Sequence, residues 1–206
     1  RAVKNRFGPA DEIGVFEMGE KGLMEVPNPS SVFLSERSYG ASGSVVSATL
    51  EGTRPILVEA QALVTPSSYG VPQRSATGFD YKRLQMLLAV LEKRIGLGLG
   101  QYDVFVNIAG GVRVDDPAMD LAVASAIVSS FRDIPSDSQT VVVGEIGLGG
   151  EIRTVAQVEQ RVAEAAKLGF RSFVLPASNK RKLSARDGID LKGVENVAAA
   201  IDLITN

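Results

Sequence analysis

From Ser44 onward the sequence switches repeatedly between a strand period and a helix period, and this alternation restricts the fold more than any other feature. "SVVSATL" and "RPILVEAQALV" are runs dense in Val, Ile and Leu with Gly52-Thr53 between them, the signature of a β-hairpin. Residues 66–78 then read as a loop. Over 80–95, Leu84, Leu87, Leu88, Leu91 and Ile95 fall on one helical face. Asp80 stands at the start of that helix, Lys93 and Arg94 near its end where the dipole favours cations, and Gly96 and Gly98 close it. "YDVFVNIAGG" reads as a strand. "DDPAMDLAVASAIVSSF" reads as a helix with Asp115 or Asp116 as N-cap, Pro117 at the first helical position, and Leu121, Ala124, Ile127, Val128 and Phe131 buried. "TVVVGEIGLGGEI" predicts a strand and a glycine-broken hairpin. A helix over 155–168 turns Val155, Val158, Val162 and Ala165 inward and stops at Gly169; "RSFVLP" is a strand and "VENVAAAIDLI" a closing helix. A hairpin followed by strand–helix alternation specifies a mixed α/β fold.

Residues 1–35 are different. "EIGVFEM" and "GLMEVPNPSSVFL" suggest short strands, with Asn28-Pro29-Ser30 as turn punctuation, and too few apolar residues for a core. Such a segment needs a partner, so the chain is expected to be cut from a longer protein. Residues 36–43 read as a linker, and 44–206 as the main domain.

Several function classes are excluded early. Cysteine and histidine counts are both 0, which removes disulfides, thiolate chemistry and the usual zinc ligand sets. No apolar run reaches the roughly 18 residues that span a bilayer, and the first residues show no signal-peptide pattern. No membrane partner and a cytoplasmic location are therefore expected. The net charge is -2, so contact with nucleic acid requires a local basic patch.

Four stretches carry candidate chemistry. In "KNRFG", Lys4 and Arg6 alternate across Asn5, which places both cations on one side of an extended chain, and Phe7-Gly8-Pro9 turns it. That pair suits an anion; from spacing alone, solvated edge charges are the simpler account. No Walker A sequence is present, and Gly144 to Gly150 lacks the dinucleotide spacing and reads as a structural hairpin. Asp115, Asp116 and Asp120 cluster at a helix start, where capping is preferred to metal or acid–base work. Arg74, Lys82, Arg83, Lys93 and Arg94 surround the first long helix and are either phosphate-binding or ordinary solvated charges. For Lys180, Arg181 and Lys182, solvated charge is preferred. With no Trp, sequence-tolerant backbone binding is expected rather than base reading.

"KNRFG" followed by "DEIGVFEM…GLMEVPNPSSVFL", together with "GTRPILVEAQALV", "LLAVLEKRIGL", "GGVRVDDPAMDLAVA" and "VGEIGLGGEIR…EQRVAEAAKLGF", resembles the bacterial RadA (Sms) DNA-repair proteins over nearly the whole chain. The resemblance implies a Lon-protease-like (ribosomal S5 domain 2-like) domain over 44–206, preceded by the KNRFG motif and terminal strands of a RecA-like ATPase core. It implies a parent with an N-terminal zinc finger and an ATPase using ATP and Mg, with no cofactor held by this chain. The parent would be a hexameric DNA-dependent ATPase or helicase acting in branch migration, with single-stranded or branched DNA and a RecA-type recombinase as partners. Lys4, Asn5, Arg6, Phe7 and Gly8 would form the motif that reaches a neighbouring subunit's ATP, with Lys4 and Arg6 making the contacts in trans. Lon's catalytic serine would fall at Ala118 and its lysine at Glu159, so no protease is expected. The main alternative is a purely structural ring scaffold without DNA contacts of its own.

Overall fold

The computed structural model describes residues 16–19, 22–26, 28–37, 40–68, 70–183 and 188–205. Two short strands, β1 (Phe16–Gly19) and β2 (Gly22–Glu25), form an antiparallel pair. The Asn28-Pro29-Ser30 stretch, expected as a turn, instead opens a helix, α1 (Pro29–Leu34). The Asn28 side chain caps it by accepting the Ser30 N–H at 3.0 Å. Proline at the first helical position lacks only a donor that has no helical partner. The Ser30 hydroxyl accepts the Leu57 N–H at 3.0 Å and donates to Glu164 at 3.1 Å, fixing α1 to the body of the domain.

The expected hairpin is β3 (Ser44–Glu51) with β4 (Arg54–Pro66), paired antiparallel from Ser44↔Gln61 to Glu51↔Arg54. β5 (Arg74–Thr77) lies inside the stretch read as a loop and pairs parallel with β6 (Tyr102–Ile108). Four residues are too few to show a period, and the partner strand supplies what the sequence does not signal. Between them run α2 (Tyr81–Val90), capped by Asp80 through the Arg83 N–H, and a π turn over Leu91–Ile95. A 3-10 turn over Pro117–Met119 leads into α3 (Asp120–Arg132). The strand β7 (Thr140–Val142), the hairpin β8 (Glu145–Ile146) and β9 (Ile152–Arg153), and α4 (Val158–Lys167) follow. The chain ends with β10 (Ser172–Pro176), a one-turn α5 (Ala177–Lys180), β11 (Asp190–Val194) and α6 (Val197–Ile204). α5 and β11 were not foreseen; β11 is a short edge strand.

The main sheet has the order β11-β10-β7-β3-β4-β6-β5. Its β7, β10 and β11 side is parallel and its β3, β4 and β6 side antiparallel; the two meet at the parallel pair Val46↔Val141. One face packs on α2, α3 and α6 through Val58, Val104, Leu87, Leu121, Ile127 and Ile201. The other packs on α4 through Val46, Leu57, Val141, Val162 and Phe173. Every residue of α3 from Asp120 to Ser129 is buried. Apolar residues on all sides of a helix place it inside a layer rather than on one. The α/β architecture read from the sequence is the one observed.

Candidate functional site

The turn that leads into α3 is built by Asp116. Its Oδ1 accepts the Ala118 N–H at 3.0 Å, capping the 3-10 turn, and its Oδ2 accepts the Leu50 N–H at 3.1 Å near the end of β3. The same Oδ2 meets the Arg161 guanidinium of α4 at 2.7 Å. Arg161 is only 1% exposed, donates from Nε to the Ala156 carbonyl at 3.0 Å, and donates from Nη1 to the Ala48 carbonyl. Burial lowers its pKa from the ordinary guanidinium value, against the pull of Asp116. One buried side chain thus joins β3, the helix start and α4.

Gly144 closes the same corner. Its N–H donates to the Ala118 carbonyl at 2.9 Å and its carbonyl accepts the Leu121 N–H at 3.0 Å. A Cβ on Gly144 would sit 2.8 Å from the Ile152 side chain of β9 and 3.2 Å from that of Leu121, so a larger residue between β7 and β8 would crowd both. Ala118 is 1% exposed and belongs to the apolar cluster of Val155, Val158 and Val162. Glu159 is exposed in the first turn of α4, where a carboxylate suits the helix dipole. The structure therefore places a buried methyl and a solvated acid where the resemblance puts a serine and its lysine. The cation that does reach the helix start, Arg161, is held by Asp116 and two carbonyls and has no accessible base form. Ala118→Ser is expected to cleave neither casein nor a fluorogenic peptide, because a new hydroxyl would be buried among valine side chains with Glu159 where the resemblance puts the lysine base. Cleavage by the purified variant that a serine-directed inhibitor blocks would overturn this.

Around α2, the five cations do not form one set. The Arg83 guanidinium forks onto both oxygens of Asp120, which is fully buried and also accepts the Ile146 N–H at 3.0 Å. The hydrogen bond with Asp120 holds the Arg83 pKa above its ordinary value. Burial pushes the Asp120 carboxyl up, against Arg83 and the Ile146 N–H. Arg74 is likewise committed: it donates to the Tyr102 carbonyl and, at 2.8 Å, to that of Leu99. Arg74 and Arg83 were expected among the phosphate-binding cations; the structure engages Arg74 with backbone carbonyls and Arg83 with the Asp120 carboxylate. Lys82, Lys93 and Arg94 are exposed, with Lys82, Gln85, Ala89 and Lys93 recurring along the solvent side of α2 and its π turn. Arg94 lies over Gly150 at the β8–β9 turn. Of the "NKRK" stretch, Asn179 is buried, its amide bridging the Val155 N–H at 2.9 Å and carbonyl at 3.1 Å, whereas Lys180, Arg181 and Lys182 are exposed.

Of the acidic cluster, Asp116 is the cap, Asp120 is the Arg83 partner, and Asp115 is exposed beside Arg113 at 3.3 Å. Among the described residues no group of three or more acidic, His or Cys side chains is placed to hold a metal ion, and no helix is long and apolar enough to cross a membrane. Lys4, Asn5, Arg6, Phe7 and Gly8 lie outside the described residues. The residues missed by reading the sequence are Arg161 and the pairing role of Asp120. Arg161 had a signal: it stands three residues after Val158 and one before Val162, on the inward face of α4.

Residues 70–179 match the family model described as subunit ChlI of Mg-chelatase. The chain is 55% identical over 201 residues to the DNA repair protein RadA of Bacillus subtilis (strain 168), covering 98% of this chain and 44% of that protein. It is 53% identical over 201 residues to the protein of the same name from Listeria monocytogenes serovar 1/2a, again covering 98% of this chain and 44% of the relative. Against that of Streptococcus pyogenes serotype M1 the identity is 51% over 204 residues, 99% of this chain and 45% of the relative. The chain thus spans less than half the length of these curated relatives.

Proposed function

The chain belongs to the bacterial RadA family of DNA-repair proteins and, over 70–179, to the family described as subunit ChlI of Mg-chelatase, and from that premise we propose that it is the non-proteolytic, oligomerising and DNA-guiding part of a DNA-dependent ATPase. In this reading residues 44–206 form a Lon-like scaffold, 36–43 a linker, and 1–35 the KNRFG motif with terminal strands of a RecA-like core. The parent assembles as a ring, hexameric in the leading version, and drives branch migration in recombination. Lys4 and Arg6 reach the ATP bound by the neighbouring subunit, where Arg6 offers a planar fork and Lys4 a compact charge.

The observation that carries the guiding role is the exposed stripe of Lys82 and Lys93 on a helix whose other side is packed into the core. Held by Leu84, Leu87 and Leu88, these cations keep their direction, and repetition around a ring multiplies them without new contact types. The acidic groups nearby, Glu92 beside Lys93 and Asp80 beside Lys82, favour the alternative of a structural ring whose DNA contacts lie elsewhere.

Fluorescence anisotropy with a labelled single strand decides between them. Weak, salt-sensitive and sequence-tolerant binding is expected. Lys82→Glu combined with Lys93→Glu should weaken it more than Lys180→Glu with Lys182→Glu, and should flatten the slope of log affinity against log salt by about 1.4 for two lost phosphate contacts. Arg83 is left intact in this test because it is the partner of Asp120. Equal losses in both double variants would remove α2 as the guiding face, and no binding by any form at low salt would favour the structural ring.

A further inference from the structure

The sheet beside α1 holds a buried carboxylate with no ion-pair partner among the described residues. Glu59 on β4 is 2% exposed. Its oxygens accept the Ser44 hydroxyl and, at 3.0 Å, the Gln61 amide. Gln61 is itself held by Asn107, whose amide donates to it at 3.0 Å. This chain of neutral donors runs from the sheet surface inward and fixes how the carboxylate is presented. The ion pairs among the described residues involve Asp115, Asp116, Asp120, Glu145, Glu151 and Glu195, and none includes Glu59. A carboxylate taken out of water is costly unless a cation pairs with it.

Glu59 lies at the floor of a groove of about 420 Å³. Val32 and Phe33 of α1 line it together with Ala109 and Gly110, and the exposed Glu36 is part of the lining. Gly110 has φ 82°, and a Cβ there would meet the Phe33 ring at 2.5 Å, so the backbone there stays close to the aromatic. The volume lies at the small end of sites that hold a ligand. Two carboxylates repel a phosphate backbone, which sets this groove apart from the cationic side of α2.

We propose that this groove is a docking site for an arginine side chain presented by a protein partner. A guanidinium supplies the missing positive charge and the planar donors that a fixed carboxylate can accept. Its aliphatic stem covers the apolar lining, and Phe33 offers an aromatic face to the cation. The inference stands apart from the DNA-guiding reading, and neither depends on the other.

Isothermal titration of the chain with acetylated tri-arginine amide, at low salt, tests it against the same peptide carrying citrulline, which keeps the shape and loses the charge. The arginine peptide should bind at least tenfold more tightly than the citrulline peptide. Glu59→Gln, which retains hydrogen-bonding capacity, should bring arginine binding down to the citrulline level while the thermal melt stays cooperative. Val32→Lys, a surface change at the groove mouth, should cause a similar loss and serves if Glu59→Gln does not fold. Absence of binding by the wild-type chain, equal binding of the two peptides, or unchanged binding in these variants would overturn the proposal. So would a loss confined to Glu36→Gln, which would mark attraction to Glu36 alone.

Discussion

Arg161→Ala is expected to melt roughly 6–20 °C below the wild-type chain. Breaking a buried ion pair by removing one member costs about 3–5 kcal/mol, and each kcal/mol lowers the midpoint by about 2–4 °C in a protein of this size. The loss is large because the guanidinium serves three places at once. Without it, Asp116 keeps a charge in a mostly buried corner and the Ala48 and Ala156 carbonyls lose their donors. Glu159→Ala, two residues earlier on the exposed side of α4, is the matched control and should shift stability by less than about 0.5 kcal/mol. Calorimetric melts of both variants make the measurement. Near-equal midpoints for Arg161→Ala and the wild type would show that the pair does not anchor the helix start.

Arg6→Ala, in a full-length protein carrying this chain, is expected to lower DNA-stimulated ATP turnover by about three to five powers of ten, the range found for a guanidinium supplied in trans. Nucleotide affinity within the same subunit should remain, because the proposed contact is with the neighbour's γ-phosphate. Arg6→Lys should not rescue turnover, since an ammonium lacks the planar fork. Lys4→Ala should have a smaller effect, on the coupling of hydrolysis to movement. Phosphate-release rates and nucleotide titrations separate these outcomes. Turnover within tenfold of wild type in Arg6→Ala would sink the trans role, and loss of nucleotide binding in cis would reassign the residue to its own subunit's site.

Long, strongly periodic segments were legible in the sequence. The helix after Asp80 announced its cap, its buried leucines and its end, and the helix after Asp115-Asp116 announced a capping aspartate and its buried face, because those signals are local. β5, α5 and β11 were not legible: each spans at most five residues and depends on a neighbour for its conformation. At the candidate site, Ala118 and Glu159 could be marked from the resemblance and Asp116 from capping chemistry. The Asp116–Arg161 pair joins residues 45 positions apart in sequence across a tertiary contact, so no local pattern encodes it. Arg74 and Arg83 illustrate the same limit. Composition identifies a cation, and only packing shows that Asp120 or a carbonyl has already claimed it.

The enclosure of α3 from Asp120 to Ser129 bears on how the domain opens. A helix with one wet face can loosen a turn at modest cost, whereas one buried from Asp120 to Ser129 opens only when the layers around it part. Amide exchange along that stretch should therefore follow opening of the whole domain, not fraying of one helix.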